Sequence, residues 1–478
     1  MAVPEGERWH FYDGVPEVIV RSNGAYHHEP QWYRHFLYDE DAARGEDATE
    51  DLAAPGRYEF DLAAGPAVLL FSTGEPLAPA SIPAPELATL LASDEIERRR
   101  AFPSPRAGAA DAYLVRRGDG KTVIAGYPWF GEWGRDTFIA MRGLCLAQGR
   151  IEEARRILHA WAETVSEGML PNRFPDQGTA PEYNSVDASL WYVIVVNELL
   201  DAVAHDPVRC NQHGDLLHST AETILRSYLR GTRFQIRAES DGLLACGTPG
   251  VQLTWMDAKV GDRVITPRVG KPVEVQALWL NAVGLASRHN PDWQPLFERG
   301  VASFRERFWN ESRGCLYDVV DVDHEYGRLD GSLRPNQIFA VGGLPLPLLE
   351  GDRAARVVQV VQDKLWTPMG LRSLAPGEPG YAPRYVGGPA SRDSIYHQGT
   401  VWPWLAGPFV DAWVRVHGNT PEARAKARDT FLAPMLLRTD LQGLGHVPEI
   451  ADAEAPHTAR GCPFQAWSLG ELLRVTRL

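Results

Sequence analysis

Apolar positions recur along most of this chain at helical spacing, and they recur in two kinds. Ile151-Glu-Glu-Ala-Arg-Arg-Ile-Leu158 is amphipathic, with one apolar stripe, whereas Trp191-Tyr-Val-Ile-Val-Val196 is apolar around its circumference. A one-sided helix covers a surface, and an all-round apolar helix lies inside. The pattern predicts helices near 86–100, 109–115, 136–148, 151–166, 185–203, 216–232, 271–290, 293–309, 335–341 with 352–365, 398–418, 421–438 and 463–478. Those beginning at Asp136, Ser185, Lys271, Pro335, Gln398 and Pro463 are the apolar set, spaced by roughly 50 to 85 residues, which leaves room for one amphipathic partner each. Six inner and outer pairs make a mainly α chain, expected as an (α/α)6 toroid barrel over residues 86–478 with a single concave mouth.

Residues 1–80 follow another rhythm. Pro16-Glu-Val-Ile-Val20, Arg57-Tyr-Glu-Phe-Asp-Leu62 and Ala67-Val-Leu-Leu-Phe71 are short alternating or apolar runs between Gly and Pro turns, which predicts a small β-rich module, a partial β-sandwich. Glu75 to Pro85, with Pro76, Pro79, Pro83 and Pro85, is the expected linker, because proline serves neither a ladder nor a helix interior.

Composition narrows the partners. A net charge of -14 disfavours nucleic acid and anionic membrane surfaces and suits a neutral or cationic ligand, a neutral carbohydrate among them. The five cysteines (Cys145, Cys210, Cys246, Cys315, Cys462) form no C-x-x-C and no zinc spacing, so buried reduced thiols are expected, with no metal and no cofactor implied. No apolar run is long enough to span a bilayer, and Met1-Ala-Val-Pro-Glu-Gly-Glu-Arg8 lacks the order of a signal peptide, which makes the cytoplasm the expected compartment. Oligomeric state is not encoded in any pattern found.

Chemistry concentrates just before the inner helices. Gly126-Tyr-Pro-Trp-Phe-Gly-Glu-Trp-Gly-Arg-Asp136 sets aromatic rings beside an Arg-Asp pair; indole faces stack on a pyranose, and paired charges meet its hydroxyls. Asn184-Ser-Val-Asp187, Thr254-Trp-Met-Asp-Ala-Lys259, Arg334-Pro-Asn-Gln337, Tyr396-His-Gln-Gly-Thr-Val-Trp402 and Gly461-Cys-Pro-Phe-Gln-Ala-Trp467 repeat that mixture. Cleaving a glycosidic bond takes two carboxyl groups, one protonated and one ionised. The candidates are Glu132, Asp136, Asp187, Asp257, Glu274, Asp393 and Glu449. Asp257 follows Trp255 and Met256, an apolar setting that raises a carboxyl pKa as a general acid requires; pairing with Lys259 is the structural alternative. Arg135 and Asp136 are expected to pair with each other, which would keep the aspartate ionised and suited to binding hydroxyls rather than to proton transfer.

These motifs resemble the glucosidase part of glycogen debranching enzymes, over residues 86 to 478. Gly126 to Phe138, Asn184 to Trp191, Thr254 to Lys259, Gly270-Lys-Pro-Val-Glu274, Tyr396 to Trp404 and Gly461 to Ser468 carry the resemblance, and Trp32-Tyr-Arg-His-Phe-Leu-Tyr38 with Glu50-Asp-Leu-Ala-Ala-Pro-Gly56 resemble the end of a prokaryotic relative's N-terminal sandwich. The resemblance implies amylo-α-1,6-glucosidase activity on an α-glucan or oligosaccharide, with the acid at Asp257 and the base at Glu449, in the loop Gly443-Leu-Gly-His-Val-Pro-Glu-Ile450. Trp133, Trp191, Trp255 and Trp402 are the stacking candidates, and Arg135, Asp136, Asp187, Lys259, His397 and Gln398 the polar ones. Nothing resembles a glucanotransferase. Two other classes share the pattern: a trehalase or disaccharide phosphorylase on the same barrel, and a glucan-binding protein without turnover. An inverting hydrolase is the expectation.

Overall fold

The structure is a computed structural model that describes residues 7–10, 13–74, 77–79, 81–174, 180–204 and 207–477, with side chains undescribed at 43, 207–214 and 442. Met1 to Gly6, the linker residues Glu75, Pro76 and Ala80, and the Cys210 side chain fall outside it. The chain divides into two compact units, Met1–Ser104 with Gly387–Pro389, and Pro105–Val386 with Ala390–Leu478.

In the first unit, strands Glu7–Trp9, Val18–Ser22 and Leu69–Thr73 form an antiparallel sheet in that order. Ala25–His27 pairs with Arg57–Glu59, and Gln31–Leu37 with Thr49–Ala54 around α1 (Asp39–Arg44). Helix α2 (Ala84–Arg100) completes the unit, with Pro85 in its first turn, where a missing N–H costs nothing.

The second unit is mainly helical. After α3 (Pro105–Asp111) come α4 (Gly134–Leu144), α5 (Ile151–Ala162), α6 (Asp187–Val203), α7 (Pro207–Arg230), α8 (Val273–Ala286) and α9 (Gln294–Arg307). Then follow α10 (Gly351–Leu365), α11 (Pro389–Ile395), α12 (Ala406–Val416), α13 (Pro421–Ala427), α14 (Ala433–Gln442) and α15 (Ala466–Val475). Helix α4 packs on α6, α6 on α8, α8 on the 3-10 segment Pro335–Ala340, that segment on α12, α12 on α15, and α15 back on α4. The all-round apolar helices therefore touch one another in a ring. The amphipathic α5, α7, α9 and α10 each pack against a member of it, because a single apolar stripe has only one side to hide.

Several elements differ from the expected ones. The fourth inner position, counted around the ring from α4, holds a 3-10 segment, Pro335–Ala340, in place of the α-helix expected over 335–341, and it goes no further because Gly342, Gly343, Pro345 and Pro347 follow it. Gly342 lies so close to α12 that a Cβ there would stand 2.2 Å from the Ala412 nitrogen. Residues 398–402 are a turn followed by a short strand, not a helix: Val401–Trp402 pairs with Gly370–Arg372 and Ile450–Ala451, and helical backbone starts only at Pro403. The helix expected at 109–115 is α3, and Leu114 already belongs to a hairpin, Leu114–Arg117 with Gly120–Val123, turned by Gly118-Asp119 with Gly118 at φ 55°. Residues 421–442 are interrupted by a π-turn at Arg428–Leu432, just ahead of Pro434, which has no N–H to donate back.

The tightest seam is between α4 and α15. A Cβ on Gly143 would sit 1.7 Å from the Gly470 carbonyl oxygen. Gly143→Ala is thus expected to lower stability by about 1–3 kcal/mol or more through overpacking, read as a fall in urea midpoint. Gly120→Ala, whose Cβ would meet nothing nearer than 3.7 Å, should stay within about 0.5 kcal/mol of the parent.

Candidate active site

Two short pairings gather the motif loops. Gly126–Tyr127 pairs with Phe464–Gln465, and Trp133 bridges Arg173, which bridges Glu182. The first leaves no room for a side chain at residue 126, where a Cβ would stand 2.4 Å from Gln465 Oε1 and 2.6 Å from Cys462 Sγ. These contacts set the start of α4 beside the start of α15, around a cavity of about 330 Å³.

Of the residues expected in the site, Trp133, Arg135, Asp136, Trp255, Asp257, Trp402 and Glu449 line this cavity. The others stand elsewhere. Asp187 is buried and accepts from Arg135 Nε through both oxygens, at 2.9 Å each, and from Ser185 Oγ at 2.6 Å. Trp191 is core, edge-on to Phe339 with the Arg142 guanidinium over its face. Lys259 lies on the Lys259–Val264 hairpin with its ammonium 3.9 Å from Asp262. His397 is wholly buried, stacked on Trp402 with ring centres 4.9 Å apart. Gln398 accepts from Arg334 and donates to Thr266 Oγ1. Among the rejected carboxyls, Glu132 is tied to Arg117 and Thr122, and Glu274 to Arg268.

The expected Arg135–Asp136 pair does not form. Arg135 Nη1 donates instead to Asp257 Oδ2 at 3.0 Å, and Asp136 accepts from Gln465 Nε2 at 3.0 Å. Adjacent residues in the first turn of a helix point to different faces, so the guanidinium reaches Asp257 and its neighbour in sequence does not meet it. Asp257 accordingly pairs with Arg135, not with Lys259.

Tyr396, Gln465 and Trp467 also line the cavity. They lie inside motifs read from the sequence, but no periodicity distinguishes Tyr396 from His397 in a loop without regular structure. Asn172, Arg173 and Glu182 are lining residues too, and they sit outside every motif; no sequence pattern marks them, since they reach the cavity by bridging Trp133 (Arg173), bridging Arg173 (Glu182) and accepting from the Gly134 N–H (Asn172).

Asp136, Asp257 and Glu449 share this space with the Arg135 guanidinium. Burial pushes Asp136 up to about 7, the charges of Glu449 and Asp257 add to the rise, and Arg135 opposes it. Burial likewise lifts Glu449 to about 7, against the Tyr396 hydroxyl and the Cys462 N–H, both of which favour its ionised form. Asp257 is also raised by burial, although Arg135 draws it down; about 27% of its side chain is exposed. The Tyr396 hydroxyl donates to Glu449 Oε1 and the Cys462 N–H to Oε2 at 2.9 Å. The assembly can keep one or more protons near neutrality while indole faces wall the ligand space, the arrangement that proton-assisted cleavage of a sugar bond needs.

Carboxyls gathered in an aromatic-walled cavity on a mainly helical scaffold suit a glycoside hydrolase, and the family match agrees. The chain belongs to the amylo-alpha-1,6-glucosidase family, which matches residues 108–474, and residues 3–69 match the family described as glycogen debranching enzyme N terminal. The glycogen debranching enzyme of Saccharomyces cerevisiae is 25% identical over 461 residues, covering 74% of this chain and 30% of that enzyme; the chain thus spans under a third of that relative. Among solved structures, an uncharacterized conserved protein from Thermus thermophilus superposes with TM-score 0.57 at 18% identity, covering 78% of this chain and 100% of the other. The GH63 mannosylglycerate hydrolase of the same organism, in complex with Tris, gives TM-score 0.58 at 17% identity over 78% and 100%. These likenesses show the fold. No helix among the described residues is long and apolar enough to cross a membrane.

The raised Asp136 has a measurable consequence. Its folded pKa of about 7 lies above the unfolded value of about 3.9, so its contribution to stability is full below pH ~4 and is lost as pH rises through about 7. Asp136→Asn keeps an acceptor for Gln465 and cannot ionise. Its melting temperature relative to the parent is expected to rise between pH 5 and pH 8; a difference independent of pH would show that the carboxyl is not held protonated.

Proposed function

We propose that this chain removes a terminal glucose attached through an α-1,6 bond, from a trimmed glycogen branch or an isomalto-oligosaccharide, by single displacement with inversion. The observation that carries the reading is the pair of carboxyls, Asp257 and Glu449, lining one cavity with Trp133, Trp255 and Trp402. Asp257 protonates the leaving oxygen and Glu449 deprotonates the attacking water. Both bonds to Glu449 are donated to it, which supports an acceptor role for its carboxylate. Arg135 and Asp136 hold the glucosyl hydroxyls. The reaction is assigned to residues 86–478 as an (α/α)6 toroid, supported by the ring of helix contacts, with residues 1–80 a β-rich accessory module. The net charge of -14 supports a neutral glucan as substrate, and the cytoplasm is the compartment assigned.

One observation favours exchanged roles. Arg135 bonds Asp257 directly, which stabilises its ionised form, whereas Glu449 sits near 7. The pH profile separates the two assignments. As base, Glu449 must be ionised, and kcat/KM falls as pH drops below about 7; as acid it must be protonated, and the rate falls above about 7. The limb belongs to the coupled carboxyls as a set, so it is read together with azide rescue. In Glu449→Ala, azide can attack the anomeric carbon while the glycosidic oxygen takes its proton from Asp257, which yields β-glucosyl azide only if Glu449 is the base.

Free glucose is expected from isomaltose, panose and a single-glucose branch stub, with trehalose untouched and phosphate not required. Proton NMR of fresh product should show β-glucose first. Asp257→Asn and Glu449→Gln should each lower kcat by at least about a hundredfold. Sugar phosphate as the main product, or α-glucose released first, would overturn the proposal.

A further inference from the structure

Arg334-Pro-Asn-Gln337 has no part in the reaction above, although it shares the composition of the other motifs. It opens the 3-10 segment Pro335–Ala340, and the Asn336 side chain is completely buried. The loop Thr254–Asp257, by contrast, has no regular secondary structure to fix the direction of Asp257. Side chains of the first element hold the second. The Trp255 indole Nε1 donates to Asn336 Oδ1 at 2.8 Å, and Asn336 Nδ2 donates to Asp318 Oδ1 at 2.8 Å. Asn336 Nδ2 and Arg334 Nη1 both approach Met256 Sδ at 3.7 Å, and Arg334 Nη1 also donates to the His397 and Ser373 carbonyls.

The orientation of the Asn336 amide follows from its neighbours. A flipped amide would set its oxygen against the Asp318 carboxylate and its NH2 against the indole N–H, a repulsive contact at each end. Asp318 cannot turn to accommodate the flip, because Arg268 grips it through Nε at 2.8 Å and Nη2 at 3.0 Å, while also holding Glu274. The chain Glu274, Arg268, Asp318, Asn336, Trp255 is therefore a buried series of bonds in which each partner permits one orientation of the next.

We propose that Asn336 is a positioning residue that fixes the Trp255 indole and, through it, aims Asp257 for proton donation. The inference rests on the acid role given to Asp257 above. Trp255 also packs edge-on against His397, Trp402 and Trp404, with ring centres 5.1 to 5.4 Å away, but edge contacts between flat rings leave rotation and sliding open that a directed N–H bond closes. Displacing a reacting group by about 1 Å can cost on the order of a hundredfold in rate.

The test compares two substrates, isomaltose, whose leaving alkoxide needs a proton, and α-glucosyl fluoride, whose fluoride leaves without one. Asn336→Leu removes both amide bonds at similar volume, and Asn336→Ser, too short to span both partners, serves if the leucine variant does not fold. For either variant kcat on isomaltose should fall about 10- to 100-fold, with KM and the rate on the fluoride changing less than about threefold. In a Trp255→Phe background, which lacks the indole N–H, Asn336→Leu should add little to the loss. Equal losses on both substrates for the Asn336 variants, or none, would overturn the positioning role while Asp257→Asn still spares the fluoride. Equal losses for Asp257→Asn as well would overturn the acid assignment, and this inference with it.

Discussion

The Arg135 guanidinium is the contact on which the site depends. It is 2% exposed and spends its donors on two carboxylates from different loops, Asp187 at the start of α6 and Asp257 in the loop before α8. Taking one cation and two anions out of water is expensive unless each finds its partner, and the loss of one partner typically costs about 3–5 kcal/mol because it strands the rest. Arg135 is thus the tie that brings Asp257 to the cavity. Asp187 turns the guanidinium by engaging Nε with both oxygens, which leaves Nη1 for Asp257. The fixed fork geometry of arginine is what makes such a tie directional.

One cation cannot neutralise what surrounds it. With Asp187 and Asp257 already in contact with Arg135, Asp136 and Glu449 add two more carboxyls to the same region, and burial raises both to about 7. The cheapest state at neutral pH is one in which the set retains protons, and proton retention is the property that acid catalysis requires. The same burial that would destabilise an ordinary core here sets the proton affinity of the carboxyls. Tyr396 adjusts the balance from the other side by donating to Glu449, which opposes protonation of that carboxyl.

Much of the scaffold was legible because it follows from one periodicity. Helices apolar all round, such as α6 and α8, have no solvent face to offer and must pack on one another, and they do so in sequence order around the ring. Legibility ended where backbone geometry replaced periodicity. The extended run at Val401–Trp402 and the 3-10 turn at Pro335 are short, Gly- and Pro-bounded, and fixed by partners distant in sequence. The same limit applied to the site. Asp257, Glu449 and Trp133 stood in composition-rich motifs and line the cavity, whereas Trp191, inside α6, and His397, in a loop, stood in equally rich motifs and are core. Composition locates a loop near the mouth; which of its side chains faces inward depends on a main-chain direction that two or three residues of irregular backbone can reverse.

That dependence explains why the motif loops are braced by side chains rather than by ladders. A helix start is fixed by its own hydrogen bonds, as at α4, where Asp136 falls in the first turn. The Thr254–Asp257 loop has no such support, and its direction is set by an indole bonded to an amide, an amide bonded to a carboxylate, and a carboxylate gripped by arginine. Every one of these groups is polar, and burying each is favourable only with its partner in place. The network therefore admits few alternative loop conformations at any temperature where the fold survives. An apolar filling could match its stability but not its directionality, since dispersion contacts do not distinguish one rotation of an indole from the next.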